Sequence, residues 1–234
     1  MSKIERVIFI TSLLLLVLYS VSQLNAPSLI KYIDNNKKIL NWVDIERVFN
    51  NAGNGDLIFL SGNTKGEKTC KWCTNSIYSH VGILFREIHE KTGENILYIW
   101  DSDLGQKTKD GPRVMKLADK LKLYKGDRYL AWRKLSNKPT TKDILKVINK
   151  YSNLKFDDNM VSWFFGNKQN TIYDIVKDRN TVFCSELTAM TLQYLDILDK
   201  SKNAIWYSPG EFAKYNVEGL KSKYSYSAKY FSKF

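Results

Sequence analysis

The stretch Ser79-His80-Val81-Gly82-Ile83-Leu84 reads as a short apolar strand with a histidine at its start. Upstream, Gly55-Asp56-Leu57-Ile58-Phe59-Leu60 has the same character and follows a turn, Asn51-Ala52-Gly53-Asn54-Gly55. Downstream, the charged segment Glu87–Asn95 carries Gly93 and reads as a hairpin turn. Ile96–Trp100 then returns as a third strand with Asp101 at its end. Val114–Leu117 and Tyr129–Lys134 are expected as further strands, and Ser61–Thr69 as a polar loop.

Helical spacing appears on both sides of these strands. Ile39–Phe49 has apolar residues at Ile39, Leu40, Trp42, Val43, Ile45 and Val48, a pattern that predicts a short helix. Thr140-Thr141-Lys142-Asp143 supplies a hydroxyl cap and an early acid, and Ile144, Leu145, Val147, Ile148 and Tyr151 follow at helical intervals. Phe156–Gly166 is an aromatic loop containing Trp163, Phe164 and Phe165. In Val182-Phe183-Cys184-Ser185-Glu186-Leu187 a strand gives way to a helix, which runs to about Asp199 with Leu187, Met190, Tyr194, Ile197 and Leu198 on one face. Tyr207–Gly210 is a turn, and the tail from Lys221 is irregular or a last edge strand. The fold class expected is α+β, a small antiparallel sheet packed against helices.

Composition bounds the rest. The chain of 234 residues is 44% hydrophobic and 13% aromatic, which is globular and not disordered. Its 36 Lys and Arg against 24 Asp and Glu give a net charge of +12. The lysines are scattered, with no basic stripe or nucleic-acid motif, so no specific nucleic acid is expected as a partner. Val7–Leu24 is an uncharged apolar run of about bilayer length, preceded by Lys3 and Arg6. It is expected to be an N-terminal transmembrane anchor over residues 1–26, with a cleaved signal peptide and secretion as the alternative. Residues 27–50 are then a stem and short helix, and residues 51–234 the folded domain.

Only two histidines and three cysteines are present, so candidates for a thiol–imidazole pair are few. Cys184 precedes a predicted helix, where unpaired N–H groups and the macrodipole favour negative charge. The N–H groups of Cys184 and Ser185 are natural donors to an oxyanion. His80 is placed to act as base and then acid, and Asp101 to accept the second imidazole N–H. If His80–Phe85 and Ile96–Trp100 pair as a hairpin, Asp101 returns to the His80 end, with Asp103 as the local alternative. Against this, a free cysteine is commonly a buried core residue. Trp100 and Phe183 read as core, Asp56 as a turn cap, His89 as a solvated loop residue, and Ser185 lacks a GxSxG elbow. Cys70-Lys71-Trp72-Cys73 is a lone CxxC, compatible with a local disulfide or two free thiols, and no metal or cofactor is expected from it.

Taken together, GDLIF, SHVGIL, a strand ending in an acidic residue, FCSEL leading into a helix, and SPGEF resemble the circularly permuted papain-like branch of the NlpC/P60 superfamily. That branch includes bacterial YiiX-like proteins, poxvirus members and, more distantly, lecithin:retinol acyltransferase-like enzymes. The resemblance spans roughly residues 55–212, and in this branch the histidine strand precedes the cysteine helix. It implies Cys184 as nucleophile, His80 as the family histidine and Asp101 at a third polar position that is often Glu in relatives. The implied activity is a cysteine hydrolase or acyltransferase acting on a peptide amide or a lipid ester or thioester. A non-catalytic, membrane-tethered binding module that keeps the fold is the alternative.

Overall fold

A computed structural model describes residues 3–104, 110–157 and 180–234. A seven-stranded sheet organises them: β1 (Asn41–Trp42), β2 (Asp56–Leu60), β3 (His80–Ile88), β4 (Asn95–Asp103), β5 (Gly111–Lys116), β6 (Tyr129–Arg133) and β9 (Tyr230–Lys233). Their order across the sheet is β1-β9-β6-β2-β3-β4-β5. All neighbours run antiparallel except β1 and β9, which are parallel. A separate two-stranded parallel pair joins β7 (Lys155–Phe156) to β8 (Thr181–Val182). The α+β class is as expected, but the sheet is large and mixed where a small antiparallel one was anticipated.

Side chains alternate between the faces of a strand, and both faces here are covered. Leu57, Phe59, Val81 and Ile83 pack on one side with Ala189 and Leu192 of α7 (Cys184–Tyr194), Phe212 of α8 (Pro209–Phe212), and Leu29 and Ile33 of α2 (Leu29–Asn36). Ile58, Leu60, Leu84 and Ile99 pack on the other with Val48 of α3 (Ile45–Asn51) and Leu117 and Leu121 of α5 (Leu117–Leu123). A third cluster gathers Phe85, Trp100, Val182 and Leu187 with Ile144 of α6 (Thr141–Tyr151). Burial on both faces explains why β2 after Asp56 and β3 from Val81 to Phe85 are apolar without interruption.

Several local expectations need correcting. Ser61–Thr69 is not all loop, because α4 (Lys65–Cys73) begins within it. The cause is a capping box: Thr64 Oγ accepts from Glu67 N, and the Glu67 carboxylate accepts from Thr64 N at 2.9 Å. Ile39–Phe49 splits into β1 and α3, and Asp44 marks the N-terminal boundary of the helix. The segment read as a stem contains α2, whose Leu29 and Ile33 are buried in the main core. The tail forms β9, which lies inside the sheet between β1 and β6 and is not an edge. The aromatic residues Trp163, Phe164 and Phe165 lie outside the described residues.

The expected transmembrane anchor is also corrected. Among the described residues no helix is long and apolar enough to cross a membrane. A span needs about 20 consecutive, predominantly apolar residues. Helix α1 (Lys3–Asn25) starts with Lys3, Glu5 and Arg6, carries Thr11, Ser12, Ser20, Ser22 and Gln23 along its length, and lies against α4.

Candidate active site

Register brings the polar residues together. β3 and β4 pair with Ile83 opposite Trp100, which places Gly82 opposite Asp101 and His80 opposite Asp103 by continuation of the ladder. His80, Gly82, Asp101 and Asp103 therefore share one face, with Asp101 one step diagonal to His80. Gly82 leaves the intervening space open: a Cβ there would come 2.7 Å from Ile99 Cδ1 and 3.2 Å from Asp101 Cβ. His80 Nε2 lies 2.8 Å from Asp101 Oδ2, and both residues are buried. Because Nε2 is engaged, Nδ1 is the nitrogen left for a second partner.

Cys184 arrives from the opposite side of the sheet. Ser102 Oγ donates to the Val182 carbonyl at 2.8 Å, fixing the strand just before the cysteine. Trp100 Nε1 donates to Thr191 Oγ1 at 3.0 Å, which docks α7 on β4. The Glu186 carboxylate accepts from Phe183 N at 3.4 Å and closes the first turn. Cys184 is thus the first residue of α7 and lies at the start of β3, its Sγ 4.0 Å from the carbonyl oxygen of Ser79, the residue before His80. The Cys184 sulfur is one of the groups that raise the His80 pKa. Ser185 is buried beside it in the same helical turn. Thus the cysteine, histidine and aspartate expected from sequence converge, Asp101 being the residue hydrogen-bonded to the ring.

Two cations complete the cluster, and sequence reasoning missed both. Lys120 of α5 is 3% exposed, with Nζ 2.6 Å from Asp101 Oδ2 and 2.6 Å from Asp103 Oδ2. Arg113 of β5 lies opposite Asp101 in the ladder, and its Nη2 donates to Asp103 Oδ2 at 3.1 Å. The signal for Lys120 was its place between Leu117 and Leu121, which puts it on a helix short enough to pass for loop.

The electrostatics follow from this packing. Burial pushes the Asp101 carboxyl up, but the Lys120 ammonium and His80 outweigh it and hold it well below the usual carboxylate range. Burial and the Lys120 ammonium push His80 down, yet the Cys184 sulfur and the Asp101 hydrogen bond win, and its pKa is raised to about 10. Burial likewise opposes the Lys120 charge, and the two carboxylates carry it above its ordinary value. With His80 as imidazolium, three cations (His80, Lys120, Arg113) face two carboxylates (Asp101, Asp103), leaving one positive charge beside the Cys184 sulfur.

The other candidates are not part of this constellation. Asp56 is a buried structural acceptor, taking hydrogen bonds from Gly53 N, Trp132 Nε1 and Leu135 N and an ion pair from Lys138. His89 sits in the hairpin turn away from the cluster. Cys70 is a free thiol whose Sγ lies 3.8 Å from the same Ser79 carbonyl oxygen, and burial pushes it well above the ordinary thiol range. Cys70 and Cys73, both in α4, are not joined as a disulfide. Two surface grooves, one lined by Tyr32, Leu40, Arg133 and Lys229 and the other by residues 42–47 with Lys233, border β1 and β9, not His80. The chemistry, and not the concavity, locates the site.

No family model matches the chain, and no curated protein matches it. Among solved structures, metalloprotein yiiX from Escherichia coli O157:H7 (DUF1105) is similar at 15% identity with a TM-score of 0.45, covering 76% of this chain and 97% of that one. The candidate site rests on this chain's own geometry.

Proposed function

We propose that the chain is a cysteine-nucleophile hydrolase or acyltransferase acting through an acyl-enzyme on an amide, ester or thioester carbonyl. The observation that carries the reading is the His80 Nε2–Asp101 Oδ2 hydrogen bond of 2.8 Å, with Cys184 at a helix N-terminus and its Sγ 4.0 Å from the carbonyl oxygen of Ser79, the residue before His80. A thiol, an imidazole and a carboxylate held in that sequence of contacts are the parts of a nucleophilic triad.

The reaction would begin from the Cys184 thiolate and the His80 imidazolium. The sulfur attacks the carbonyl carbon, and the carbonyl electrons move to oxygen. The backbone N–H groups of Cys184 and Ser185, unpaired within the helix because they belong to its first turn, face that charge. Collapse expels the amine or alcohol, which takes its proton from His80 Nδ1, and leaves a thioester on Cys184. Neutral His80 then removes a proton from water or an acceptor hydroxyl, which attacks the thioester and releases the Cys184 thiolate. Asp101 holds the ring by Nε2 throughout and stabilises the imidazolium.

The test is profiling of wild type and Cys184→Ala with an iodoacetamide probe and a panel of peptide, ester and phospholipid substrates. Labelling at Cys184 and turnover of one substrate class, both lost in Cys184→Ala, is the expected result. Equal labelling of both proteins would sink the nucleophile assignment, and labelling without turnover of any acyl substrate would favour a binding module.

A further inference from the structure

Lys120 performs no step in that reaction, yet it holds the most constrained position beside it. Its Nζ touches Asp101 Oδ2 and Asp103 Oδ2 at 2.6 Å each, and the first of these oxygens is the one that faces His80 Nε2. Leu117 and Leu121, three residues before and one after it in α5, are buried against the sheet, so the helix cannot turn the lysine outward without opening the core. A buried ammonium is tolerated only when paired, and the two carboxylates pair it. The ligand atoms of His80, Asp101 and Asp103 also lie within 4.8 Å of one another. An imidazole with two carboxylates is a donor set that suits a divalent metal ion. The ammonium stands where the charge of such an ion would be needed.

We propose that Lys120 is a positioning residue, a tethered cation that fixes the Asp101 carboxylate toward His80 Nε2 and fills the cation position of the His80–Asp101–Asp103 cluster against divalent metal. The groups that face it come from every neighbouring element: His80 from β3, Asp101 and Asp103 from β4, and Arg113 from β5, with Cys184 of α7 beyond the ring. Arg113 does not duplicate the role, since its Nε is 3.8 Å from Asp101 Oδ1 and its short contact is to Asp103. Lys120 bridges both carboxylates at 2.6 Å each. Its consequence for reactivity rests on the proposed roles of His80 and Cys184, whereas its hold on Asp101 does not.

The experiment uses the full chain labelled with 15N, in which only His80 and His89 contribute imidazole signals. In wild type the His80 Nε2–H resonance is expected far downfield, slow to exchange, and unmoved by one equivalent of Zn2+. In folded Lys120→Ala that resonance broadens or shifts, Zn2+ now perturbs it, and propylammonium, which replaces the missing part of the side chain, restores it where sodium does not. Alkylation of Cys184 falls by about 10- to 100-fold and recovers with the same amine, the size of effect typical of removing a group that orients a working imidazole. Should Lys120→Ala fail to fold, Asp103→Asn releases one anchor of the ammonium and is expected to move the same resonance. An unchanged His80 Nε2–H in the folded variant, or stoichiometric Zn2+ binding at His80 in wild type, would overturn the proposal. Repeating the measurement in Cys184→Ala separates the two readings: the Lys120 effect on His80 persists there even if Cys184 proves not to be the nucleophile.

Discussion

At the scale of single residues, the site is a chain of contacts in which each group fixes the next: Lys120 on Asp101, Asp101 on His80, His80 beside Cys184. Asp101→Asn keeps the shape but can present an N–H where the carboxylate accepted one, so the ring loses its imposed tautomer. In the proposed reaction the rate of acyl transfer is expected to fall by about 10²–10⁴-fold with little change in KM. The pH dependence of stability follows from the same pair. His80 has a folded pKa above its unfolded value, so its contribution is full below about 6.5 and is lost as pH rises through about 10. Asp101 has a folded pKa below its unfolded value, so its contribution is present above about 3.8 and is lost as pH falls through the depressed value. Urea melts across pH should therefore show an alkaline decline that His80→Gln removes; a decline of equal size in that variant would refute the linkage. Cys70 gives a third expectation. Because burial keeps its thiol protonated at neutral pH, iodoacetamide mapped by mass spectrometry should modify Cys184 well before Cys70.

At the scale of elements, β3, β4 and α7 are joined by a few specific bonds more than by any one motif. Gly82 lets β4 approach close enough for Asp101 to reach His80, which makes it a packing requirement of the site. Gly82→Ala is expected to destabilise the protein by about 1–3 kcal/mol through overpacking against Ile99, and to slow Cys184 alkylation because Asp101 is displaced. Chemical denaturation and alkylation rates measured on the same sample check both parts. The strands here were readable because their apolar runs are bounded by turn residues, and the β3–β4 hairpin because Gly93 sits at its tip with φ +68°. Helices α4 and α5 were not, since each is short and rich in lysine, and their apolar positions acquire meaning only when a sheet lies beneath them.

At the scale of the whole molecule, one buried arginine adds to the β9 pairings in tying the C-terminal segment to the sheet. Arg133 of β6 donates to the carbonyl oxygens of Phe212, Lys214, Tyr215 and Ser227 at 2.6–3.0 Å while only 1% exposed. Arg133→Met would strand those carbonyls without donors and is expected to cost about 3–5 kcal/mol. Thermal unfolding monitored by circular dichroism measures it, and a loss within about 0.5 kcal/mol would show that water replaces the guanidinium. In sequence Arg133 is simply the charged end of a strand, because its partners lie some 80 to 95 residues away.

The sequence by itself determined the α+β class and most of the central strands, and it singled out Cys184, His80 and Asp101 as candidates, because strand periodicity, helix entry and the scarcity of histidine and cysteine are all local signals. The size of the sheet, the place of β9 inside it and the packing of α1 were decided only by tertiary structure, through pairings between residues far apart in the chain. The same is true of the cation beneath Asp101. Apart from the flanking Leu117 and Leu121, Lys120 looks in sequence like the many other lysines of this basic chain; it is set apart because folding buries it between two carboxylates, where a charge must be matched or removed.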